Sequence, residues 1–111
     1  MTTLRTYRVL VKGKFDRPDA ETRSRMLAVL RDGGLPPLGF TEEGALSFGE
    51  HLAAFSFRCV VRVEPGEAEE REARDRAELR AMEALEAAGY PYRDLTSSAT
   101  AMDDIKIRRR R

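Results

Sequence analysis

The chain has 111 residues, enough for one domain with an ordinary core and too few for two of typical size. Its charged fraction is high at 35%, yet 20 basic side chains against 19 acidic ones leave a formal charge of +1, which excludes a global field for nucleic acid or an anionic membrane. A single cysteine, Cys59, excludes an internal disulfide, and no apolar run reaches the roughly 18 residues that span a bilayer, so a cytoplasmic protein with no membrane attachment is expected.

Thr6 to Lys12 alternates and is rich in β-formers, predicting a first strand that ends at Gly13. Tyr7, Val9 and Val11 share one of its faces, and Arg8, Leu10 and Lys12 the other. Asp16-Arg17-Pro18-Asp19 then combines capping side chains with a proline, as helix starts do. The helix runs to about Arg31, with Thr22, Met26, Val29 and Leu30 on one side and Leu27 at the margin. Asp32-Gly33-Gly34 stops it.

Pro36-Pro37 marks a connector. Leu38 to Phe48 reads as an interrupted strand with a turn or bulge at Glu42-Glu43-Gly44, or alternatively as a separate small hairpin. After a second turn at Gly49-Glu50-His51 comes the strongest strand signal, Ala54 to Glu64. Phe55, Phe57, Cys59, Val61 and Val63 lie on one face of it, Ser56, Arg58, Val60 and Arg62 on the other. Pro65-Gly66 ends it. Glu67 to Ala88 predicts a long helix with a narrow stripe of Ala73, Ala77, Ala81, Leu85 and Ala88, joined by Met82. Glu67/Arg71, Glu70/Arg74 and Glu72/Arg76 stand four apart with the acid first, the favourable order. Gly89 and Pro91 close the helix. Tyr92 to Met102 is the last strand, with Leu95, Ser97, Ala99 and Ala101 opposite Thr96, Ser98 and Thr100. A basic tail at 105–111 follows.

Two helices with one apolar stripe each, and strands with one apolar face, must bury those surfaces against each other. The order strand-helix-strand-strand-helix-strand predicts a single α+β domain over 1–111 with the ferredoxin-like βαββαβ arrangement, a four-stranded antiparallel sheet carrying two helices on one face. Arg8, Leu10, Lys12, Arg58, Val60 and Arg62 then share the open face, flanked by Thr96, Ser98 and Thr100. Like charges on neighbouring strands repel, so an anion is expected near them, either a glutamate that makes this an ordinary solvated or dimer face, or a ligand. Guanidinium groups hold carboxylate or phosphate with two hydrogen bonds.

The expected function is therefore binding of an anionic small molecule by Arg8, Lys12, Arg58, Arg62 and Ser98. Two such faces packed together would give a homodimer, a dimeric α/β barrel enclosing the ligand. A cofactor-free cyclase or isomerase of a biosynthetic pathway fits that shape. The alternative is a non-enzymatic protein–protein interaction module, using the open face or the Ile105–Arg111 tail. Whether the chain is an enzyme stays open, because no titratable pair stands at a catalytic spacing.

Other chemistry is thinly supported. RNA-recognition modules with this order stack bases on aromatic residues of the central strands, and the open-face positions carry none, so nucleic acid is not an expected partner. His51 is the only histidine and lies in a turn, so no metal site is expected, and no cofactor motif occurs. Cys59, among apolar neighbours, should be a buried small hydrophobe. Asp103-Asp104 reads as a cap or a tail salt bridge. Val11-Lys12-Gly13-Lys14-Phe15 resembles the start of acylphosphatases, but Asp16-Arg17-Pro18-Asp19 puts carboxylates where their glycine-rich loop cradles phosphate.

A wider resemblance is carried by Arg8-Val9 to Phe15-Asp16, Phe40-Thr41-Glu42-Glu43-Gly44-Ala45-Leu46, Phe55-Ser56-Phe57-Arg58-Cys59, Tyr92-Arg93-Asp94-Leu95 and Met102-Asp103-Asp104-Ile105-Lys106-Ile107-Arg108. Together these resemble a family of small proteins of unknown function from GC-rich bacteria, an origin that the bias of the basic residues toward arginine also suggests. The resemblance spans nearly the whole chain and assigns no residue a role. At the level of fold alone, the chain is similar to small dimeric polyketide cyclases and cofactor-free monooxygenases.

Overall fold

The computed structural model describes residues 3–35 and 39–102. Its elements are β1 (Arg5–Phe15), α1 (Ala20–Arg31), β2 (Ala45–Phe48), β3 (Ala54–Val63), α2 (Glu69–Ala88) and β4 (Tyr92–Ala101). The strands form one antiparallel sheet in the order β2-β3-β1-β4. This is the ferredoxin-like α+β arrangement that the alternating strands and two striped helices imply.

Alternation decides which way the sheet faces. Tyr7, Val9 and Val11 of β1 and Phe57, Cys59, Val61 and Val63 of β3 are buried together beneath Ala73, Ala77 and Ala81 of α2. The alanines let α2 settle close to the sheet without leaving voids. Met26 of α1 joins a second cluster with Phe15, Phe55, Leu52, Leu85 and Tyr90. Phe15 meets the rings of Phe48 and Tyr90 edge-on at 5.4 and 6.0 Å between centroids, the favoured aromatic geometry. Both helices thus cover the same face.

The helix ends follow their local chemistry. The Asp19 side chain accepts from the Thr22 N–H at 2.8 Å and caps α1. Gly89, at φ 78°, closes α2 in the left-handed conformation. Arg25 of α1 donates to the Ala88 carbonyl at 3.1 Å and ties the two helices together.

Three expectations need correction. Gly13 does not end the first strand: β1 runs on to Phe15. A Cβ on Gly13 would lie 2.6 Å from Cζ of Phe55, so glycine here makes room for a core ring. Opposite it, the pairing moves from Lys12↔Thr96 to Lys14↔Arg93, two steps in β1 against three in β4. The extra residue is a β-bulge around Asp94, whose φ is 61°. Second, the interrupted strand from Leu38 shrinks to Ala45–Phe48, preceded by an isolated bridge from Thr41 to Cys59. Third, α2 begins at Glu69, which leaves Glu67 outside it, and of the three expected Glu–Arg pairs only Glu72–Arg76 forms an ion pair among the described residues. The Pro36-Pro37 connector, Asp103-Asp104 and the tail at 105–111 lie outside the described residues.

Candidate functional site

Register brings the even-numbered residues of the central strands to the open face in rows. Arg8 of β1 pairs with Val60 of β3 and Thr100 of β4. Leu10 pairs with Arg58 and Ser98, and Lys12 with Ser56 and Thr96. Lys12 and Arg8 each stand two residues from Leu10, so both are diagonal neighbours of Arg58, about 7–8 Å apart in such a sheet. Arg8, Lys12, Arg58 and Ser98 are therefore gathered on one surface.

Their partners differ. Arg62, also on this face, forms an ion pair with Glu42, and that hydrogen bond and its charge hold the Glu42 carboxyl below its ordinary range. Arg62 is neutralised. Arg58 is half-buried and donates to the Ser56 hydroxyl at 3.0 Å, which in turn lies 3.0 Å from the Ser47 hydroxyl on β2. No carboxylate among the described residues pairs with Arg8, Lys12 or Arg58, a condition they share with other cations such as Lys14, Arg23 and Arg71, so what sets them apart is their clustering on one face.

An aromatic residue does reach the open face, contrary to the sequence expectation, and it comes from outside the strands. Phe40 lies in the connector between α1 and β2, and the guanidinium carbon of Arg8 sits over its ring, 5.4 Å from the centroid. Arg8, Leu10, Phe40, Ser98 and Thr100 line a hollow of about 240 Å³. Lys12 instead lines a separate, shallower groove with Ser47, Ser56 and the β2–β3 turn, of about 550 Å³. The expected site is thus two neighbouring depressions with Arg58 between them.

The turn after Phe40 is fixed from several sides. The Thr41 carbonyl accepts from the Val60 N–H at 2.8 Å, and the Thr41 hydroxyl from the Gly44 N–H at 2.9 Å. Arg80 of α2 donates to the carbonyls of Glu42 and Val60 and lies 3.2 Å from the Cys59 sulfur. Gly44, at φ 96°, rests on the Phe57 ring so closely that a Cβ would stand 1.9 Å from its Cζ. This bracing holds Phe40 over the sheet. The Glu42-Glu43-Gly44 signal in the sequence located the turn, but nothing in it said that Phe40, two residues earlier, would reach the open face.

The remaining candidates behave as ordinary structure. Cys59 is fully buried and its thiol is pushed up by burial, which outweighs the opposing effect of Arg80. His51 is exposed in the β2–β3 turn. No group of three or more metal-ligating side chains occurs among the described residues, and no helix there is long and apolar enough to cross a membrane.

No curated protein and no solved structure matches the chain. A family model does, and it matches residues 1–111, every position discussed above included. The chain belongs to DUF6204, a family of unknown function.

Proposed function

We propose that this protein binds a small anionic molecule on the open face of its sheet, with Arg8, Lys12 and Arg58 supplying the positive charge and Ser98 and Thr100 supplying hydroxyls. The observation that carries this reading is a cluster of like charges on adjoining strands. In a chain whose acids and bases nearly balance, Arg62 on the same face has its glutamate, while the three central cations have no carboxylate among the described residues. Like charges on neighbouring strands repel, so a bound anion relieves a standing cost. Arg62 is left out of the proposed ligand set because Glu42 already satisfies it.

The test is thermal unfolding with increasing acetate, phosphate or benzoate at constant ionic strength. A ligand that binds only the folded state raises the melting temperature in step with its saturation of the site. Wild type should show that rise for at least one of the three anions, and Arg8→Gln should lose it. No saturable rise with acetate, phosphate or benzoate, or a rise that both Arg8→Gln and Lys12→Gln retain, refutes the reading.

A further inference from the structure

We infer that the hollow beneath Phe40 takes a carboxylate carried on a single flat ring. This rests on the anion-binding reading and narrows it from charge to shape. Of the residues lining the hollow, only Arg8 is charged. One guanidinium matches the single charge of a carboxylate better than a phosphate, which approaches two negative charges at neutral pH. The guanidinium carbon of Arg8 lies over the Phe40 ring at 5.4 Å from its centroid, and its N–H groups, which have no hydrogen-bond partner among the described residues, remain available for a two-bonded carboxylate.

The rest of the lining is suited to something other than charge. The Phe40 ring and the Leu10 side chain form apolar walls, and the hydroxyls of Ser98 and Thr100 stand on the β4 side. A bare acetate or phosphate would leave both apolar walls in water. The volume of about 240 Å³ leaves room for one six-membered ring with its carboxylate, since a cavity of about 150 Å³ already holds benzene. A ring set against Phe40 gains the offset or edge-on contact that aromatic pairs favour. Because Thr41, Arg80 and Gly44 brace the turn that follows Phe40, little ordering of that wall is left for the ligand to cost.

The experiment titrates the full chain with benzoate, acetate, benzamide and inorganic phosphate, followed by calorimetry and amide chemical shifts. Benzoate should bind about tenfold more tightly than acetate, a ring contact's worth, and benzamide, the same shape without charge, should not bind. Phe40→Leu should bring benzoate down to the affinity of acetate and leave acetate unchanged. Leu10→Ser, on the facing wall, should narrow the same margin, so the result does not depend on one variant. Benzoate no tighter than acetate in wild type, a margin that survives both variants, or phosphate as the tightest of the four overturns the ring assignment and leaves anion binding standing. If none of the three anions binds, the anion-binding reading itself fails.

Discussion

Gly44 shows how much of the candidate site rests on single positions. Its φ of 96° lies where side chains are strained, and a Cβ would meet the Phe57 ring at 1.9 Å. Strain and overpacking each cost roughly 1–3 kcal/mol, so Gly44→Ala should destabilise the fold by about 3 kcal/mol in urea unfolding. Gly33 is the control: its φ is 67° but nothing stands within 4 Å of its would-be Cβ. Gly33→Ala should therefore cost only the conformational part, about 1 kcal/mol. Equal losses would show that the Phe57 contact does not matter. Glu69 gives a prediction in pH. Its carboxylate accepts from the Gly66 N–H at 3.1 Å and the Tyr7 hydroxyl at 2.9 Å and pairs with Arg5, and these partners hold its pKa below the ordinary 4.5. A pKa lowered by folding adds stability that is complete above 4.5 and is lost as pH falls through the folded value. Glu69→Gln should unfold at a lower temperature than wild type near neutrality, and the gap should shrink on acidification below 4.5. A gap constant with pH would show that the charge of Glu69 is not what its partners recognise.

At the scale of elements, β3 is longer than the strand beside it. β2 covers only Phe55 to Arg58, so the outer half of β3 would be an open edge. The protein closes that edge with Thr41, whose carbonyl takes the Val60 N–H, and with two arginines of α2. Arg76 donates to the Arg62 carbonyl at 3.0 Å and Arg80 to that of Val60 at 3.4 Å. Arg80→Met keeps the aliphatic stem and removes the donors. It should cost about 1–2 kcal/mol and speed hydrogen exchange at the Val60 amide, because the turn at Thr41 loses its anchor on α2. Unchanged exchange at Val60 would mean that Thr41 holds the edge unaided. These contacts also mark where the sequence stops being legible. β1 and β3 announced their faces through strict alternation, and the buried Val9, Val11, Phe57 and Cys59 are where it put them. So the open-face rows of Arg8, Lys12, Arg58 and Ser98 could be read from the residues alone. Phe40 could not. A connector has no period, and its course is set by long-range bonds from Val60 and Arg80 that no local pattern encodes. Gly13 misled for a related reason: glycine usually interrupts strands, but here the neighbouring Phe55 ring needed the space.

For the molecule as a whole, near neutrality hides an uneven distribution of charge. The formal charge is +1, yet Arg8 and Lys12 both stand diagonal to Arg58 on one face with no acid among the described residues to meet them. Such an arrangement makes stability depend on salt. At low ionic strength the three cations repel through partly aqueous surroundings, and at 0.15 M salt the screening length of about 8 Å is comparable to their spacing. Wild type should therefore gain melting temperature as sodium chloride rises from low to physiological concentration. Lys12→Gln removes one member of the group and no ion pair, since Lys12 pairs across the sheet only with Ser56 and Thr96. The variant should be more stable than wild type at low salt, and the two should converge as salt rises. Most surface substitutions change stability by less than about 0.5 kcal/mol and destabilise when they act at all, so a stabilising loss of a lysine is a specific signature. Arg62→Gln should do the opposite, because it breaks the pair with Glu42 and leaves that carboxylate alone. If both variants shift in the same direction, the open face carries no excess of positive charge, and its cations are ordinary solvated side chains with nothing to bind.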